Sequence, residues 1–210
     1  MQHKQLSLLL TDAHPCSYLP GRLAKTAFVD PNAIISTDLY NNLSQQGFRR
    51  SGNYFYRPAC DDCKACISYR VACQHFAPSR SQKRILKANQ DLQLVWRDSI
   101  SSPEFYKLYA DYINLRHIDG DMYPPSIEQF LGFLNNAIGN TRYACFYLDE
   151  KLVGVAVVDV LKQGLASVYS FYDARLSKRS LGSFLIIFQM LEAQKRDLPH
   201  VYLGYWVDDC

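Results

Sequence analysis

The chain has 210 residues, 48% apolar and 20% charged, with a net charge of +3. Such a composition excludes long disorder and allows one or two domains, while so small a charge does not by itself announce nucleic acid. The longest apolar runs, residues 153–158 and 184–188, are far too short for a membrane span, and the N-terminus has neither the basic head nor the apolar stretch of a signal peptide, so a cytoplasmic protein is expected. Its seven cysteines are an odd number with three in one short cluster, which suits a reducing compartment and thiol or metal chemistry better than a disulfide framework.

In chain order, the first 75 or so residues are rich in Tyr, Pro and Gly and read as a small cluster-built unit, residues 1–77, with strands at 53–57 and 67–73 flanking a cysteine loop. A basic helix capped by Ser79 or Ser81 follows to about Asn89, making residues 78–91 a connection between two lobes. Residues 92–97 predict a strand, and Pro103 opens a helix with Phe105, Leu108, Tyr109, Tyr112 and Ile113 on one face. A second helix is expected near 127–135, then strands at 142–148, 153–161 and 165–172, the first two joined tightly through Asp149-Glu150-Lys151. Leu181, Phe184, Leu185, Phe188 and Leu191 mark an amphipathic helix, and residues 200–206 a closing strand. By analogy of element order, residues 92–210 have the layout of an N-acetyltransferase-like (GNAT) α/β fold.

Four groups of residues suggest chemistry. Cys60, Cys63 and Cys66 place three thiols on one loop, where they could converge on a soft cation with Cys16 as preferred fourth ligand and Cys73 and His75 behind it; zinc and iron–sulfur both suit, against reduced core thiols. An iron–sulfur pattern would want a further Cys where Arg70 stands, Cys145 reads as core, and Cys210 has no such company. Arg179-Ser180-Leu181-Gly182-Ser183 opens a helix directly after a strand, so its backbone N–H groups either hold an anion or belong to an ordinary capped start. Tyr169, Tyr172 and Asp173 end a central strand, with Tyr202, Tyr205 and Trp206 on the closing one; they suit base stacking and proton transfer, against core packing, and His117 beside Arg116 reads as structural. Basic residues gather at Arg49 and Arg50, at Arg80, Lys83, Arg84 and Lys87, and at Lys178 and Arg179, a distribution that fits an anionic partner or a solvated surface.

Taken together, residues 16–19, 47–52, the Cys60, Cys63 and Cys66 cluster with Arg70, residues 79–89, Tyr109 with Arg116-His117, and residues 167–173, 179–182 and 202–206 resemble the aminoacyl-tRNA protein transferases of the N-end rule, in their bacterial aspartate/glutamate leucyltransferase branch. The resemblance implies a cysteine-bearing N-terminal domain and an acetyltransferase-like domain that takes aminoacyl-tRNA. The implied reaction carries leucine from Leu-tRNA to proteins beginning with Asp or Glu, with no membrane or DNA partner. An arginyl transferase and a non-catalytic metal-dependent RNA-binding module are the alternatives. Transfer from ester to amide needs no cofactor, leaving zinc or an iron–sulfur cluster a structural or regulatory role at Cys16, Cys60, Cys63 and Cys66. A guanidinium is the preferred partner for an acidic acceptor, which nominates Arg49, Arg50 and Arg70. Lys83, Arg84, Lys87, Lys178, Arg179, Ser180 and Gly182 are expected to hold tRNA, with Tyr169, Tyr172 and Asp173 facing the ester. Members usually continue past the last strand, so a chain stopping at Cys210 is expected to be C-terminally truncated; Leu19, where arginyl relatives carry a second cysteine, favours the leucyl branch.

Overall fold

The computed structural model describes residues 6–135 and 138–208, so Cys210 lies outside the described residues. In order the elements are β1 (Leu8–Leu10), β2 (His14–Pro15), β3 (Leu23–Ala24), β4 (Thr26–Val29), α1 (Thr37–Gln45), β5 (Arg49–Ser51), β6 (Tyr54–Pro58), β7 (Ile67–Ala72), α2 (Arg80–Ala88), β8 (Gln93–Arg97), α3 (Pro103–Arg116), α4 (Ile127–Leu134), β9 (Thr141–Leu148), β10 (Lys151–Leu161), β11 (Gly164–Tyr172), α5 (Leu181–Lys195) and β12 (His200–Trp206). The protein is mixed α/β, and no helix among the described residues is long and apolar enough to cross a membrane.

A six-stranded sheet in the order β7-β12-β11-β10-β9-β8 is the main scaffold, antiparallel except for the β11–β12 pair. At its centre β10 is buried on both faces, which is why its sequence is a continuous apolar run rather than an alternating one. Val155 and Val157 pack with Phe105, Tyr109, Phe130 and Leu134 of α3 and α4, while Ala156 and Val158 meet Leu181, Phe184 and Leu185 of α5. The hairpin between β9 and β10 turns on Asp149 and Glu150, both in the left-handed region (φ 46° and 65°), as a two-residue turn matching strand twist requires. Ser79, rather than Ser81, caps α2, in a reciprocal box with Gln82.

A second sheet, β1-β4-β6-β5, and α1 pack on the large sheet through Val29, Tyr40, Leu43 and Phe55, which share a core with Leu161, Ala166 and Tyr202. The strand at 67–72, expected inside the N-terminal unit, pairs antiparallel with β12 and forms an edge of the large sheet. Helix α1 was not predicted, although Ser36 caps it by accepting from the Leu39 N–H and Tyr40 and Leu43 share its buried face.

Candidate active site

Strands β11 and β12 begin side by side and then part. Their pairing covers only residues 164–166 against 200–202, although β11 runs on to Tyr172 and β12 to Trp206. Arg49 of β5 sits where pairing stops: its guanidinium donates to the Ser167 carbonyl and, at 3.2 Å, to the Tyr202 carbonyl. Gly204 lies against it at φ 112°, where any Cβ would be strained and would stand 3.5 Å from the guanidinium carbon. Arg49, half-buried, is therefore a bridge between diverging backbones, with its guanidinium held by two carbonyls at the gap.

Tyr169 and Tyr172 project half-buried from the free part of β11 toward Tyr112 of α3, whose ring lies 6.4 Å and 4.9 Å from theirs. The Tyr112 hydroxyl is 3.1 Å from His117 Nε2, and burial together with Tyr172 pushes that phenol up to about 12. Burial, then the neighbouring Arg116 charge, lowers the His117 pKa, favouring neutral imidazole at pH 7. Tyr172 also reaches α5, where a Cβ on Gly182 would stand 3.1 Å from its hydroxyl, so glycine is what lets strand end and helix start approach.

Asp173 does not face this wall as a proton acceptor. Its side chain is almost wholly enclosed, taking Lys151 Nζ at 3.1 Å and Arg175 Nε at 2.7 Å. Burial works to raise its pKa, but the bonds from Arg175 and Lys151 outweigh it and hold the carboxyl below the usual range, making it a poor base at neutral pH.

The start of α5 is open. Ser180 is in the left-handed region (φ 50°) and gives no side-chain cap, so the first-turn N–H groups at Leu181, Gly182 and Ser183 precede the first helical bond, from Phe184 N–H to Ser180 O. This start is tied to α2, because Asn89 Nδ2 donates to the Arg179 carbonyl at 2.8 Å and Arg179 Nη1 donates to the Ala88 carbonyl at 2.9 Å. The tie puts exposed Lys87 and Lys178 in one neighbourhood, with exposed Lys83 and Arg84 farther along α2. Arg179 itself is engaged by Asp91 through two 2.7 Å bonds and is a brace rather than a free phosphate ligand.

Cys16, Cys60, Cys63 and Cys66 line one cavity of about 410 Å³ together with Tyr56 and Tyr205. Among the described residues no three His, Cys, Asp or Glu side chains form a group able to hold a metal ion, and Cys60 instead donates to the Lys25 carbonyl at 3.7 Å while Cys16 accepts from the Leu19 N–H. As arranged, the thiols share a cavity without converging, and no chemical step is assigned to a metal. Neither Cys73 nor His75 lines it, and Cys73 is core.

Arg50 is enclosed beside Asp159, with Nε 2.5 Å from Oδ2 and both side chains without exposed surface. Tyr40 and Thr141 donate to the same carboxylate at 2.6 Å each, and Arg50 Nη1 donates to the Gly52 and Asn135 carbonyls. No acceptor can reach it, so the expectation of acceptor binding at Arg50 is corrected: it is a structural ion pair. Arg70 is exposed on β7, opposite Tyr202 in the β7–β12 register, and does not line the cysteine cavity.

Sequence reasoning missed Tyr112 as a partner of Tyr172, treated His117 as structural, and did not single out Arg22 and Lys64, which line the cysteine cavity.

The sequence matches the family described as Arginine-tRNA-protein transferase, N terminus, over residues 14–84, and Arginine-tRNA-protein transferase, C terminus, over residues 104–210. It is 50% identical to the aspartate/glutamate leucyltransferase of Teredinibacter turnerae, covering 98% of this chain and 85% of that one. It is 46% identical to the aspartate/glutamate leucyltransferase of Marinobacter nauticus, covering 99% and 87%. Among solved structures, the C-terminal domain of a putative lysylphosphatidylglycerol synthetase from Agrobacterium fabrum superposes with a TM-score of 0.49 at 15% identity, over 82% of this chain and 52% of that one. With both parts matched and nearly the whole chain aligned to such relatives, the chain belongs to the aminoacyl-tRNA protein transferase family, in its aspartate/glutamate leucyltransferase branch.

Proposed function

We propose that this protein transfers leucine from Leu-tRNA to the α-amine of proteins beginning with Asp or Glu, in the cytosol, marking them for N-end rule degradation. The observation that carries the reading is the parting of β11 from β12, walled by Tyr169 and Tyr172 and lying next to the open start of α5. The proposal includes an N-acetyltransferase-like transfer domain over residues 92–210, joined by residues 78–91 to a cysteine-bearing unit over residues 1–77 that lends β7 to the edge of its sheet; a parallel strand pair that opens after three residues supports the former.

The acceptor nitrogen attacks the ester carbonyl carbon, the carbon–oxygen bond to the ribose breaks, and an amide forms. One proton leaves nitrogen and one reaches the departing ribose oxygen, so the step balances without ATP or a cofactor. An α-amine with a pKa of about 7.7–8.0 already has a neutral fraction at pH 7, so positioning supplies much of the rate and a modest proton acceptor suffices. In this chain Tyr172 faces the ester and leads through the Tyr112 hydroxyl to neutral His117, which receives the amine proton. The open α5 start, including Ser180 and Gly182, holds a phosphate near the tRNA 3′ end.

The test offers labelled Leu-tRNA, Arg-tRNA and acetyl-CoA to peptides starting with Asp, Glu or Ala. Leucine is expected on the Asp and Glu peptides alone. Arginine incorporation would overturn the cargo, acetylation the donor class, and tRNA binding without any transfer would leave an RNA-binding module.

A further inference from the structure

With Arg50 enclosed and Arg49 donating to two backbone carbonyls, the accessible cations for an acidic acceptor are Arg70, which stands outside the cysteine cavity, and those that line the cavity itself. The cysteine cavity brings His14, Arg22, Lys25 and Lys64 to its wall with no Asp or Glu among its lining residues. Lys25 is engaged by Asp61 at 2.6 Å. The side chains of Arg22 and Lys64 hold no hydrogen bond or ion pair among the described residues; Asp61 and Asp62 border Arg22 in an adjoining cavity, Asp61 being taken by Lys25, so two unpaired cations face a concave, aromatic and thiol-lined space. Tyr205 joins this space to the gap between strands: it lines the cavity and donates to the Gly47 carbonyl at 2.7 Å, while the preceding Gly204 packs on Arg49.

We propose that the cavity bounded by Arg22, Lys64 and Tyr205 receives the side-chain carboxylate of the acceptor's first residue, with its α-amine directed toward the gap between β11 and β12. The inference rests on the proposed transfer reaction and names its specificity-determining residues. A volume of about 410 Å³ accommodates a terminal residue and part of the next but no folded RNA element. None of Lys83, Arg84, Lys87, Lys178 or Arg179 lines it, so the cavity is separate from the basic surface of α2 and the α5 start. Arg22 and Lys64 are long, exposed and flexible, which lets one site serve carboxylates on side chains differing by one methylene. An isosteric amide brings no charge to them and is rejected on that ground.

Binding of fluorescent peptides that differ only in beginning with Asp or Asn tests this on the full chain, independently of any transfer. The parent is expected to prefer Asp, and Arg22→Ala and Lys64→Ala each to weaken the Asp peptide about tenfold, the low end for charged hydrogen bonds at a partly open site. The Asn peptide and Leu-tRNA affinity should hold within about twofold, and Arg22→Lys should restore part of the loss. A parent blind to Asp against Asn, or a double Ala variant that keeps the parent's preference at an unchanged melting temperature, overturns the proposal. So does a loss confined to Leu-tRNA, which would make these cations phosphate ligands. If the parent transfers leucine to Asp peptides while the double variant keeps full selectivity, the transfer reading stands and the cavity assignment alone fails.

Discussion

Gly182 allows a one-atom test of whether Tyr172 belongs at the ester. Replacing it with Ala removes a helix penalty of about 1 kcal/mol, yet sets a methyl 3.1 Å from the Tyr172 ring and hydroxyl, so ring and helix must separate. Thermal stability should therefore stay near the parent's while leucine transfer falls on the order of tenfold through misplacement; unchanged transfer would remove Tyr172 from the reaction. His117 has a pH signature. Its pKa is lowered in the folded protein, so acid protonates it and transfer declines on a limb below about pH 6.5, the unperturbed value. Removing Arg116 withdraws one cause of the depression, and Arg116→Ala should move that limb upward in pH, read from kcat at saturating substrates; a limb that ignores both Arg116→Ala and His117→Asn would exclude the imidazole. The position of Tyr169 and Tyr172 at the end of β11 was legible because aromatic residues end a strand shortly before a glycine-bearing helix start. The ion pairing of Asp173 was not legible because its cations, Lys151 and Arg175, come from a hairpin strand and the following turn, and only folding brings them to its carboxylate.

At the scale of elements, regular periodicity was legible and long-range charge pairing was not. Strands β8 to β12 and helices α3 to α5 follow from apolar pattern, and α2 from its serine cap and basic run, with β10 and β11 each beginning one or two residues earlier than expected. The smaller sheet is built from strands of three to five residues, and β2 and β3 form a separate pair of two residues each; apart from β6, expected at 53–57, such short runs carry little period-2 signal and their pairing depends on turns. Arg50 and Asp159 stand 109 residues apart, and nothing local distinguishes this arginine from its neighbour Arg49. Their pair joins β5 to β10, with α1 contributing Tyr40, β9 contributing Thr141, and Arg50 also holding carbonyls at the end of α4. Arg50→Ala should cost about 3–5 kcal/mol by leaving a buried carboxylate without its cation. All activities should then fall with the melting temperature, whereas loss of Asp selectivity at full stability would return Arg50 to the acceptor site.

Across the whole molecule, the modest net charge of +3 hides an uneven distribution in which the cations divide by employment. Arg50 and Arg179 are spent on Asp159 and Asp91, and Arg175 bridges Asp173 and Asp111. Lys83, Arg84, Lys87 and Lys178 remain exposed on α2 and beside the α5 start, forming the surface where a polyanion gains most by releasing counterions. Association with Leu-tRNA should therefore weaken linearly as log salt rises, and removing all four charges should flatten the slope by about 0.7 to 0.9 for every phosphate that is no longer neutralised. Arg179→Ala should behave differently. It frees Asp91 and breaks one of the ties between α2 and the turn before α5, so the expected result is a lower melting temperature and a weaker but equally salt-dependent complex. Titrating labelled Leu-tRNA over a range of potassium chloride, alongside thermal melts, separates the two behaviours. An unchanged slope in the fourfold variant would show these four charges to be solvated surface, and a flattened slope with unchanged melting in Arg179→Ala would return that guanidinium to the phosphate.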